Sequence, residues 1–293
     1  MKAYLRITGA VLMGAILIVG ALLLPKEKAV NAKDGIVVTK APSREYIDVD
    51  ADKNGKPDWE EALAARIIDT IKLPTSTPET SAAAYEKPTT YTGQFAQSFF
   101  EEYLKNKEGG QELDDVTSLV NDAVASIDAS TQSKTYAAGD LVIVPNSDEA
   151  RREYGNQIAE IMRTQPSAGE NEMAIFSEAM KTSTPGKLEK LQIIKESYKN
   201  LVALTLEVPT PASYAPIHIE LLNRYEALLL DTVAMEGSFE DPLFALARVK
   251  EHYPDTQNLF LTIKKLQDAL LADGVVYAET DPGAYLYVFK IKP

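Results

Sequence analysis

The sequence contains no cysteine, only two histidines and a single tryptophan. Without cysteine there is no disulfide framework, no thiolate zinc site, no lipid-modified cysteine and no cysteine nucleophile. The two histidines, His218 and His252, cannot build a three-histidine metal site. Basic residues are outnumbered as well: 30 Lys and Arg stand against 43 Asp and Glu, for a net charge of −13. A surface of that sign excludes nucleic acid as a partner, because a phosphate backbone calls for a basic one. The glycine-framed serine of hydrolases, the paired histidines of zinc proteases and the glycine-rich phosphate loop are all missing. What remains is ordinary for a folded domain. The chain is 45% hydrophobic and 25% charged over 293 residues, enough to bury a core.

One long apolar run is present. Residues 7–24 read ITGAVLMGAILIVGALLL, without a charge. As a helix this run spans about 27 Å at 1.5 Å per residue, close to the roughly 30 Å of a bilayer's hydrocarbon core. It is apolar on all sides, unlike an amphipathic core helix. The run is therefore expected to be a transmembrane helix, with 1–6 as a cytoplasmic tail and 25–47 as an extended juxtamembrane segment. It exceeds the usual 7–15 residues of a secretory signal core, which favours an uncleaved anchor. Cleavage near Val30, Asn31 and Ala32 is the alternative and would give a secreted protein. Residues 1–32 hold four basic groups (Lys2, Arg6, Lys26, Lys28) and one acid (Glu27), so the rest of the chain is more acidic still. That part should be repelled by anionic lipid.

An acidic loop carries the clearest chemistry. Residues 50–61 read DADKNGKPDWEE. Asp50, Asp52, Asn54, Lys56, Asp58 and Glu61 fall at positions 1, 3, 5, 7, 9 and 12 of a twelve-residue loop, with Gly55 at position 6. Ca²⁺ takes six to eight oxygens at about 2.3–2.6 Å, and this spacing supplies them. Alternate carboxylates of a curling segment point inward, Lys56 offers its backbone carbonyl, and Glu61 binds through both oxygens. Gly55 permits the sharp turn.

The pattern resembles EF-hand-type loops over 12 of the 293 residues. It departs from them in having no entering helix and in placing Pro57 at position 8, where a strand-forming residue would pair with a partner loop. No second such loop occurs. It is similar to the solitary loop–helix sites of dockerin-like and thrombospondin-type-3-like extracellular modules. That resemblance implies a bound Ca²⁺ with a structural, clamping role. Affinities of extracellular modules are on the order of 10⁻⁴ to 10⁻³ M, so such a site would fill outside the cytoplasm, and the bulk of the chain is expected there. The other reading of the loop is a solvated turn before a helix.

The helix after the loop is well signalled. Pro57 suits a helix start, Asp58, Glu60 and Glu61 suit its first turn, and Trp59, Leu63, Ile67 and Ile71 form a stripe. Loop and helix together span 48–72. Residues 73–92, with Pro74, Pro78 and Pro88, read as a Pro/Thr-rich linker. Residues 93–293 read as a helical domain. Its first helix carries Phe95, Phe99, Tyr103 and Leu104; the second carries Val116, Leu119, Val120, Val124 and Ile127. The third starts near Asn146 and Ser147, with Asn146 and Glu149 placed like a capping box. A short fourth has Met173, Phe176 and Met180. The fifth covers 186–207, the sixth 216–235, the seventh begins at Pro242 and stops before Pro254, and the eighth covers 255–273. Residues 140–144 form a short β-branched run. Residues 275–292 suggest a hairpin about Asp281, Pro282 and Gly283, with a helix after Pro282 as the alternative.

The fold class expected is thus mainly α with a small β element, on a membrane anchor. Helix-on-helix burial accounts for the Leu and Tyr stripes without a cofactor. Carboxylate pairs such as Glu101 and Glu102, Asp114 and Asp115, Asp148 and Glu149, and Glu170 and Glu172 read as helix first turns or solvated faces. His218 and His252 read as ordinary helix residues. The sequence therefore points to a calcium-binding envelope protein with a scaffolding or binding role, its partner an envelope protein or polymer. The alternative is a cell-envelope hydrolase using carboxylates in a helical cleft.

Overall fold

The computed structural model describes residues 49–71, 88–109, 122–127, 133–166 and 168–287. The apolar run at 7–24, the segment 25–47, most of the linker and part of the second expected helix lie outside the described residues. Among those described, no helix is long and apolar enough to cross a membrane.

The architecture is mainly helical. Helix α1 is Asp58–Ile71 and α2 is Tyr91–Gly109. A helical stretch at 122–127 follows, then strand β1 (Ile143–Val144) and helices α3 (Asp148–Arg163), α4 (Glu172–Thr182) and α5 (Leu191–Leu206). Strand β2 (Thr210–Pro211), helix α6 (Ala215–Glu236), helix α7 (Pro242–Ala272) and the short α8 (Ala284–Tyr287) complete the chain. The two strands run parallel, with Ile143 opposite Thr210 and Val144 opposite Pro211.

Helices α6 and α7 form the centre; the short connection at 237–241 makes them antiparallel neighbours. Helix α5 packs on α6, and α1 packs on α7 and α4. The shared core includes Leu221, Tyr225 and Leu228 of α6, Leu246, Leu259 and Ile263 of α7, and Ile194, Tyr198 and Leu201 of α5. Trp59, Leu63 and Ile67 of α1 belong to the same core. Each such side chain contributes about 1.5–3 kcal/mol when fully buried, so α1 is seated in the helical domain. Arg66 reinforces this by covering the Phe239 ring at 3.9 Å, and Glu60 pairs with Lys250 of α7 at 3.0 Å.

Several boundaries differ from those read in the sequence. Helix α7 does not stop before Pro254 but runs through it, so the expected seventh and eighth helices are one of 31 residues. An interior proline costs about 3 kcal/mol. Here Leu246 and Val249 before it and Leu259 and Ile263 after it are buried in one core, and their burial outweighs that cost. The cap of α3 is Ser147, whose side chain accepts from Ala150 N. Asn146 instead accepts from the Ser213 N–H at 3.0 Å, holding the β2–α6 junction. Residues 185–190 form a 3₁₀ turn ahead of α5.

The expected C-terminal hairpin is absent from the described residues. Residues 275–278 are irregular, and the chain after Pro282 forms α8. Its aromatic residues pack on α3 rather than on a partner strand. The Tyr277 hydroxyl donates to Arg152 O at 3.2 Å, and the Gly283 N–H donates to Asn156 at 2.9 Å. A Cβ at Gly155 would stand 1.8 Å from the Tyr277 hydroxyl, and one at Gly283 would stand 2.2 Å from its ring. Tyr277 is thus wedged against both glycines, where an added methyl would force its ring to shift.

A two-way cap ties the domain's entrance to its centre. The Asp241 carboxylate accepts from Tyr91 N at 2.8 Å, Thr92 N at 2.9 Å and the Thr92 hydroxyl at 2.6 Å. It also caps its own helix by accepting from Phe244 N. Thr92 in turn accepts from Leu243 N at 2.9 Å. Each end satisfies donors that the other helix start leaves unpaired. As a result α2 begins at Tyr91, inside the stretch that the sequence assigned to the linker.

Candidate functional site

The acidic loop is built from its own backbone. The Asp58 N–H donates to Val49 O at 2.7 Å, and the Asp58 carboxylate accepts from Ala51 N at 2.8 Å. These two bonds close the loop. Within it the Asp50 carboxylate accepts from Asn54 N at 3.1 Å and Gly55 N at 2.8 Å. Lys53 (φ 60°) and Gly55 (φ 92°) both take left-handed backbone; Gly55 does so without cost. The Gly55 N–H on Asp50 holds that carboxyl below the usual aspartate value.

Asn54 sits among the acids. Its Nδ2 donates to Asp52 at 3.0 Å and also to Glu61, while its Oδ1 accepts from Lys56 N at 2.9 Å. The loop therefore brings Asp50, Asp52, Asn54 and Glu61 to one place, with Asp58 at its closure. Lys56 enters through its backbone N–H, and its side chain is exposed. In this arrangement N–H groups neutralise the carboxylates. Among the described residues, no three His, Cys, Asp or Glu side chains are grouped so as to hold a metal ion. The donor set is nonetheless all oxygen and mostly anionic, the chemistry a hard cation needs. Turning the Asn54 amide would exchange a donor for an acceptor towards the acids.

A second constellation lies inside the domain, and the sequence reading did not find it. Glu172 of α4, Asp231 of α6 and His252 of α7 are all buried. His252 Nε2 stands 3.6 Å from Glu172, and its Nδ1 stands 3.4 Å from Asp231. The Tyr198 hydroxyl donates to Glu172 at 3.1 Å. Arg248 donates to Asp231 through Nε at 3.0 Å and Nη2 at 2.7 Å, and to Asp255 at 3.2 Å. Burial pushes Asp255 up to about 6, with the Asp231 charge adding to it and Arg248 opposing. Burial also drives His252 towards its neutral form, but Asp231 and Glu172 drive it the other way and prevail, so its pKa is raised.

Glu172, read from the sequence as a solvated helix start, does open α4 but is fully buried there. The signal for Asp231 was its place in a Leu-rich stretch. It lies on the apolar face of α6 beside Leu228 and Met235, and an acid on such a face needs a partner. His218 is fully buried too, with Nδ1 3.1 Å from the Tyr154 hydroxyl. Burial pushes its pKa down to about 4, against a smaller opposing effect of the Thr205 backbone.

Compared with known proteins, the chain matches no family model, no curated protein and no solved structure. The chain forms a mainly helical domain with an acidic loop at the head of one core helix.

Proposed function

We propose that this chain is a membrane-anchored, extracytoplasmic calcium-binding protein with a scaffolding or binding role at the cell envelope. The observation that carries this reading is the loop. Six donor positions at the spacing Ca²⁺ requires lead directly into a helix whose Trp59, Leu63 and Ile67 are buried in the domain core. Asp50, Asp52, Asn54, Asp58 and Glu61 would supply side-chain oxygens, and Lys56 its carbonyl. The ion would replace N–H groups as the counter-charge for the acids. Its role would be to fix the loop against α1, and α1 is already fixed to α4 and α7. The uncharged run at 7–24 supports the anchor, and a solitary loop of modest affinity supports placement outside the cytoplasm.

Calorimetry of the full chain with CaCl₂ tests the site. One saturable event is expected, abolished by Asp50→Ala and by Glu61→Ala. Heat unchanged in either variant contradicts the assignment. Protease protection in intact cells tests the location: cleavage of the domain from outside is expected, and protection until lysis contradicts it.

A further inference from the structure

Four helices deliver ionisable groups to one buried place: Glu172 from α4, Tyr198 from α5, Asp231 and Tyr225 from α6, and Arg248 and His252 from α7, with the half-buried Asp255 of α7 at its edge. Helix α1 adds Glu60, paired with Lys250. Arg248 serves Asp231 and Asp255. Among the described residues, the basic group within 4 Å of Glu172 is His252. A buried carboxylate that loses its one cationic neighbour is strongly destabilising. Glu172 is also the first residue of α4. One turn further on, Phe176 meets Trp59 of α1 with ring centroids 6.1 Å apart.

We propose that His252, clamped between Glu172 and Asp231, is a pH-operated latch that fastens the start of α4, one turn before Phe176 and its contact with Trp59, to α6 and α7. Protonated, the imidazolium bridges the two carboxylates. As pH rises and the proton leaves, the cationic bridge between Glu172 and Asp231 is lost and the start of α4 loosens. The latch does not depend on the loop holding Ca²⁺.

The chain has two histidines and one tryptophan, so each signal has few sources. Imidazole NMR of the full chain should show one histidine titrating above 6.5 and the other well below it. Urea unfolding followed by Trp59 emission from pH 6.5 to 9 should show the unfolding constant rising up to tenfold per pH unit, until the latch is open. His252→Gln should be flat over that range. If it does not fold, Glu172→Gln is read instead by NMR, where the upper titration should move down. His252 titrating at or below 6.5, a wild-type profile as flat as the variant, or an unmoved titration in Glu172→Gln overturns the latch.

Discussion

Asp231 and Arg248 meet at 2.7 Å where neither sees much water. Removing Asp231 leaves Arg248 with Asp255 alone at 3.2 Å, and breaking a buried pair costs about 3–5 kcal/mol. Asp231→Ala is expected to lower stability by that amount in urea unfolding. A loss below about 1 kcal/mol would mean that water reaches Arg248 in the folded state. Tyr277 makes a steric case at the same scale. Gly283→Ala places a methyl 2.2 Å from its ring, and overpacking of this kind costs about 1–3 kcal/mol. A thermal melt checks it, and an unchanged midpoint would show that the C-terminal segment moves aside freely.

At the scale of elements, Asp241 joins the starts of α2 and α7. Losing one cap costs about 1 kcal/mol, and this carboxylate serves two helices. Asp241→Ala is therefore expected to cost about 2 kcal/mol by urea unfolding, and Asp241→Asn much less. Equal losses in the two variants would point to charge rather than capping. Helix existence was legible in the sequence because 3.6-residue periodicity records which face is buried: the stripes of Trp59, Leu63 and Ile67 and of Met173 and Phe176 are core. Boundaries were less legible, since they depend on partners distant in sequence. Pro254 looks like a stop until α6 is alongside. Asn146 looks like a cap until Ser213 claims it. The 275–287 segment alternates like a strand, but the surface available to it is α3. In the candidate site, the loop's spacing was legible because its donor residues are local in sequence. The Glu172, Asp231 and His252 cluster was not, because three helices assemble it.

For the whole molecule, titration should divide by window. His218, lowered to about 4, makes stability rise with pH between about 4 and its ordinary 6.5. Asp255, raised from 3.8 to about 6, makes stability fall with pH over nearly the same interval. The two offset each other. From 6.5 to about 9 the raised His252 makes stability fall as pH rises through its folded value, below the range in which the buried tyrosines, raised above their ordinary value by burial, titrate. On the proposed reading the acidic loop would add a second control. A ligand that binds only the folded state stabilises it by about 2.7 kcal/mol at 100 times its dissociation constant, and the core position of α1 would convey that gain to the domain. The most direct test is a Ca²⁺ titration of the full chain, following Trp59 emission and the thermal midpoint together. A saturable change in emission with a rise in midpoint, both lost in Asp50→Ala and Glu61→Ala, is the predicted result. No response in either signal up to several millimolar Ca²⁺ would contradict it and reduce the loop to an acidic helix start.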